Sequence, residues 1–156
     1  MLRAKDIMTT RVITLSPGQE VMEAARILLE NHINGAPVLD EDGAIIGVLT
    51  RDDLISQQKE LPLPSYFVVL DALIPIRSIG QVEREVEKIA ATTVEHAMTP
   101  DPVIVTPDTP IDQIAELMVD KKIHTIPVQE PGGTLAGVIG KEDLLRTIVP
   151  GQERKT

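Results

Sequence analysis

Adding 90 to a residue number carries one half of this sequence onto the other without a gap. Met8-Thr9 falls on Met98-Thr99, Pro17 on Pro107, Ala25 on Ala115 and Ile33 on Ile123. Pro37-Val38 falls on Pro127-Val128, Gly43 on Gly133, Gly47-Val48 on Gly137-Val138, and Asp53-Leu54 on Asp143-Leu144. Val21 with Ile111 and Leu28 with Met118 are conservative matches in the intervals. A register held from Met8 to Leu54 marks a tandem duplication. What one copy builds the other must build too.

Within a copy, Val12-Ile13-Thr14-Leu15 and Val103-Ile104-Val105 are short β-branched runs, which predict strands. Ser16-Pro17 and Thr106-Pro107 then read as helix starts, an N-cap residue with proline at the first helical position. Gln19 adds a Ser-x-x-Gln capping box in the first copy. Val21, Ala24, Ala25 and Leu28 recur at helical spacing, as do Ile111, Ile114, Ala115 and Met118, and both stripes should face a core. Ala36 to Leu39, the acidic turn Asp40-Glu41-Asp42-Gly43 and Ala44 to Leu49 predict a hairpin. Ile126 to Val128, Glu130 to Gly133 and Leu135 to Ile139 repeat it. Asp52 to Gln58 and Glu142 to Val149 predict a closing helix. Each copy is thus β-α-β-β-α, an α/β (α+β) unit with too few strands to stand alone. Two copies packed through their sheets, related by a pseudo-two-fold, would bury both apolar faces.

Pro37 and Pro127 interrupt strands, where proline cannot donate to a ladder. Either they block edge pairing, or they leave backbone groups of Ala36, Val38, Ile126 and Val128 free to face a ligand. Two readings also compete at Thr50-Arg51-Asp52-Asp53. As a capping-box relative, Thr50 and Asp53 satisfy free N–H groups of the helix behind them. As a ligand site, the hydroxyl and N–H groups face a phosphate, while the carboxylate accepts from the two hydroxyls of a ribose.

The totals exclude several classes. One Tyr, one Phe and no Trp leave no stacking platform for single strands, and a net charge of −9 opposes polynucleotide binding. A small phosphorylated ligand remains compatible, because local N–H groups hold phosphate against an unfavourable overall field. With no cysteine there are no disulfides, thiol nucleophiles or thiolate metal sites. Met1 to Asp6 lacks a signal-peptide core, and no apolar run reaches the ~18 residues of a membrane span, so a cytoplasmic protein is expected. His32, His96 and His124 are scattered without metal-ligand spacing, and the Asp40 turn lacks EF-hand spacing. Nothing supports catalysis, a bound metal or a covalent cofactor.

Met-Thr ahead of the first strand, the Ser/Thr-Pro helix start, the strand Pro-Val, and Gly-Val-Leu-Thr-Arg-Asp-Asp-Leu in a duplicated unit resemble a pair of cystathionine-β-synthase (CBS) domains, the Bateman module. The resemblance covers residues 3–57 and 93–149. It implies a regulatory module that holds AMP, ADP, ATP or another adenosine derivative between the repeats, and it implies a homodimer. By this resemblance Asp53 and Asp143 match the ribose-binding acid, and Thr50 the hydroxyl at the first phosphate. Ile13, Thr14, Gly35-Ala36-Pro37-Val38 and Thr125-Ile126-Pro127-Val128 match positions lining the adenine pocket. Arg51 and Lys141 stand where a cation neutralises phosphate, or are solvated charges; His124 lies near the second cleft, or is structural. Gly140 stands where Thr50 stands in the first copy, so two unequal sites are expected, the Thr50/Asp53 site binding better. The family also includes modules that bind S-adenosylmethionine or no ligand, and a protein-interaction scaffold with vestigial clefts is the competing expectation.

The chain divides into repeat 1 (1–57), an insertion (58–92), repeat 2 (93–150) and a tail (151–156). The insertion has an apolar part, Leu61 to Ile76, read as core or dimer contact, and a predicted helix, Gln81 to Ala91, with Val82, Val86, Ile89 and Ala90 on one face.

Overall fold

The computed structural model describes residues 1–60 and 92–151, so the Leu61–Ile76 stretch and the helix predicted for Gln81–Ala91 lie outside the described residues. The elements are α1 (Ala4–Ile7), α2 (Val21–Glu30), β1 (Gly35–Leu39), β2 (Ile45–Thr50), α3 (Arg51–Glu60), α4 (Val94–Ala97), β3 (Thr99–Pro100), α5 (Ile111–Asp120), β4 (Thr125–Gln129), β5 (Leu135–Gly140) and α6 (Lys141–Arg146). The class is mixed α/β, with two small sheets ordered β1-β2-β3 and β4-β5.

Both hairpins form as the sequence predicts. Pro37 lies opposite Val48 and Pro127 opposite Val138, with a register irregularity after Val38 and after Val128. The acidic turn is a hairpin tip held by its own first residue: Asp40 Oδ1 accepts from the N–H groups of Asp42 and Ala44, both at 2.9 Å. Gly43 and Gly133 close the two turns at φ of +80° and +95°, a region open mainly to glycine.

The runs at 12–15 and 103–105 are not strands. Each makes a single parallel bridge, Leu15 to Val38 and Val105 to Val128. The Leu15 N–H donates to Pro37 O, and Leu15 O accepts from the Leu39 N–H, both at 2.9 Å. The next rung of a parallel ladder would need an N–H on Pro37, which proline lacks. Pro127 stops the run before Val105 in the same way. Proline in both copies therefore limits this strand to one bridge. Ala36 and Val38, opposite Leu49 and Gly47, are fully buried in the first core.

The helices expected from Pro17 and Pro107 begin later, at Val21 and Ile111. Ser16 and Gln19 do bond, N–H to Oε1 at 3.0 Å, but they close a turn. The backbone from Pro17 to Val21 is engaged elsewhere: Pro17 O accepts from Glu95, Gln19 O from Val94, and the Val21 N–H donates to Thr92 O. In the second copy Lys5 donates to Pro107 O, Ala4 to Thr109 O, and Ile111 to Leu2 O. These bonds map onto one another under the 90-residue shift. The last helix ends at Arg146, short of the predicted Val149, in tight bonds from Thr147 and Ile148 to Leu144 and Leu145 ahead of Pro150.

The consequence is an exchange. Ala4, Ile7 and Met8 pack in the core of Val105, Ile114, Met118, Ile126, Val128 and Ile139. Val94 and Ala97 pack in the core of Leu15, Val21, Ala24, Leu28, Ala36, Val38 and Leu49. Each repeat's leading segment completes the other repeat. The Met-Thr pairs cross with them: Thr99 pairs with Val48, and Thr9 bridges Val138. A Cβ at Gly47 would stand 2.9 Å from the Thr99 carbonyl oxygen, and one at Gly137 2.8 Å from the Thr9 carbonyl oxygen. Both glycines of the Gly-Val motif are thus required by the segment lying over them. Gly35 meets its own counterpart in the other repeat, where an added Cβ would be 2.9 Å from Thr125 Oγ1.

Candidate functional site

The strand β2 delivers Thr50 to the start of α3, and there the cap is formed. The Thr50 N–H donates to Asp53 Oδ2 at 2.9 Å, and the Asp53 N–H donates to Thr50 Oγ1 at 3.1 Å. The other carboxylate oxygen, Oδ1, accepts from Thr99 Oγ1 at 3.0 Å. Asp53 is therefore fixed by its own helix and by the segment crossing from ahead of the second repeat. Both Thr50 and Asp53 also line a cleft of about 550 Å³, so the cap and a place in the cleft wall coexist.

The second helix start repeats half of this arrangement. The Gly140 N–H donates to Asp143 Oδ2 at 2.8 Å, with no hydroxyl to return a bond. Nothing steric requires the glycine: its φ is −104°, and a Cβ there would find its nearest neighbour, His124 O, at 3.7 Å. Gly140 and the buried Asp143 line a second cleft of about 350 Å³. Both volumes fall in the range of small-molecule sites, roughly 300–1,000 Å³.

Each cleft is composite. The first joins Thr50 and Asp53 to Thr99, Asp101, Pro102 and Val103; the second joins Gly140 and Asp143 to Thr9. Of the residues selected from sequence, Thr50, Arg51, Asp53, His124, Thr125 and Lys141 line the first cleft. Gly35, His124, Thr125, Lys141 and Asp143 line the second. Ala36, Pro37, Val38, Ile126 and Pro127 are buried in the hairpins, and Ile13 and Thr14 lie outside both linings. Val103, the counterpart of Ile13, stands in the Thr50 cleft. Arg51 donates from Nε to Ile33 O at 3.0 Å, which ties its guanidinium to the loop before β1.

Sequence reasoning missed Thr99, Asn34 and the Asp101–Val103 segment. The duplicated Met-Thr was the available signal, since a polar residue kept at 9 and 99 needs a partner. No helix of the described residues is long and apolar enough to cross a membrane.

The CBS domain model matches residues 4–60 and 94–150. An uncharacterized protein of Methanocaldococcus jannaschii, MJ1426, is 27% identical over 154 residues, 93% of this chain and 90% of that protein. Against the Arabidopsis thaliana chloroplastic proteins CBSX1 and CBSX2, the chain spans only 57% and 61% of their length. Among solved structures, the CBS domain pair of protein MJ0100 in complex with 5′-methylthioadenosine and S-adenosyl-L-methionine matches with a TM-score of 0.69. It is 25% identical, with 95% of this chain and 96% of that one covered. CBSX2 in complex with AMP matches with a TM-score of 0.71 at 24% identity over 95% and 96% of the two chains. Both repeats are matched by the family model and the whole exchanged pair by the structures, so the chain belongs to the CBS domain family and carries that domain twice.

Proposed function

We propose that this pair is a regulatory module that takes an adenosine nucleotide (AMP, ADP or ATP) in the Thr50/Asp53 cleft and passes its occupancy to a partner protein. The observation that carries the reading is the placement of Asp53. Its carboxylate is fixed from two directions by Thr50 and Thr99 at the wall of a 550 Å³ cleft. A carboxylate held in this way is preorganised to accept from ribose hydroxyls, and the hydroxyl of Thr50 stands one turn away for a phosphate. The adenosyl ligands of the MJ0100 pair support the nucleoside half of the assignment. Binding between the repeats changes their packing only through a difference in affinity between two arrangements.

The Asp143 cleft favours a second ligand type. Without a hydroxyl at Gly140 it should hold a nucleotide more weakly and favour adenosyl compounds with fewer phosphates, such as S-adenosylmethionine. For the partner, a second copy of the chain is the first expectation. Ile55 and its counterpart Leu145 are 62% and 56% exposed at the same position of the two repeats, beside exposed Ile148 and Val149.

Titration calorimetry with AMP, ADP, ATP and S-adenosylmethionine tests the reading. Asp53→Ala should abolish the stronger nucleotide response while the variant still unfolds cooperatively. Unchanged affinity in that folded variant would refute the assignment.

A further inference from the structure

Four residues, Asn34, His124, Thr125 and Lys141, stand in the walls of both clefts. Lys141 alone among them carries a permanent positive charge at neutral pH. It is exposed, and among the described residues its ammonium enters no ion pair or side-chain hydrogen bond. Its counterpart in the first repeat, Arg51, differs on each point. Arg51 is half-buried, donates from Nε to Ile33 O, and lines the Thr50 cleft only. The duplication has thus produced one anchored cation and one that faces two ways. The difference matters because the chain carries a net charge of −9, and Asp52, Asp53 and Asp101 stand in the first cleft's wall. An entering anion meets a repulsive field, and its binding depends on local cations; of the others, Lys122 lines the first cleft only, and Arg146, 3.8 Å from Glu142 Oε2, lines the second only. A lysine, a point charge on a flexible stem, can turn to either side where an anchored guanidinium cannot.

We propose that Lys141 is the phosphate-binding cation of both clefts, so that two bound nucleotides compete for one ammonium. This rests on the adenosine-nucleotide reading above. The first nucleotide draws Lys141 to its phosphate, and the second finds its cleft without that charge. Binding of charged nucleotides is then negatively cooperative, and the coupling is reciprocal. Adenosine, which carries no phosphate, binds the two clefts without it.

Titration calorimetry with ADP and with adenosine tests this on the wild type, Lys141→Met, Asp53→Ala and the double variant. Asp53→Ala leaves the Asp143 cleft as the one being read; Asp53→Asn replaces it if the alanine variant does not fold. Lys141→Met should weaken ADP by about tenfold in both the wild-type and the Asp53→Ala backgrounds, the order expected for one charge-assisted bond, and leave adenosine within about twofold. The gap between the two ADP steps should narrow with it. A loss confined to one background overturns the sharing, as does an equal loss for adenosine, or no ADP binding at all by the Asp53→Ala variant. Failure of the wild type to bind either compound overturns the nucleotide reading itself, and with it the sharing.

Discussion

At the scale of single residues, the two helix starts are a comparison already made within one chain. Thr50 and Asp53 exchange two bonds, whereas Gly140 and Asp143 make one. Since a Cβ at Gly140 has room, Gly140→Thr should complete the second box and raise stability by a few tenths of a kcal/mol, about the difference between Thr and Gly at an N-cap. Thr50→Ala should cost roughly 0.5–2 kcal/mol for the lost cap. Urea unfolding of the three proteins checks both. A loss of stability in Gly140→Thr would show that the glycine answers to something other than capping.

The capping pair was legible in the sequence because its spacing is local. The bond from Thr99 to Asp53 was not, because it joins positions 46 apart across a crossing that no periodicity records. Pro37 was ambiguous for a related reason. Its effect falls on a rung that it prevents, and Leu15 must be in place before the missing rung at its side is visible.

At the scale of elements, α2 and α5 follow from apolar spacing, α3 from the Thr50–Asp53 cap at its start, and the two hairpins from their turn residues. The starts of α2 and α5 do not, since the Ser-Pro and Thr-Pro signals were overridden by backbone bonds to α4 and α1. The four-residue α1 is too short to hold itself, and the contacts that fix it come from the second repeat. One is the pair Lys5–Asp108, with Nζ to Oδ1 at 3.0 Å. The hydrogen bond from Lys5, and then its charge, hold the Asp108 carboxyl below its ordinary value of 3.8. A depressed carboxylate contributes stability that is present above the unfolded-state value and is lost as pH falls through the folded-state one. Thermal unfolding of Asp108→Asn and wild type should therefore differ at neutral pH and converge as pH falls below 3.8. Both side chains are exposed, so the difference should be small and should vanish in about 1 M salt, where the screening length is near 3 Å.

At the scale of the whole molecule, the 90-residue register made the duplication and the α/β class plain, but not which copy each leading segment completes. Two arrangements satisfy the same sequence symmetry, one in which Met-Thr lies over its own hairpin and one in which it lies over the other. The observed exchange removes Val94 and Ala97, both in the first core, from any piece of chain that ends at residue 60. A fragment of residues 1–60 should accordingly show no cooperative denaturant transition, while the full chain does. Circular dichroism across a urea series decides it, and a sharp transition in the fragment would mean that the repeat is self-sufficient.

The same exchange sets an order of events during synthesis. When a ribosome has released the first sixty or so residues, both strands of the first hairpin are available, but the wedge that seals their core has not been made. It arrives only with the opening residues of the second repeat. By then α1, made earlier, is still waiting for a core that has yet to be translated. The first half can close once that wedge is made and the second only after its own strands follow, so the clefts, lined from both, come into being as the last act of folding rather than as features of either half.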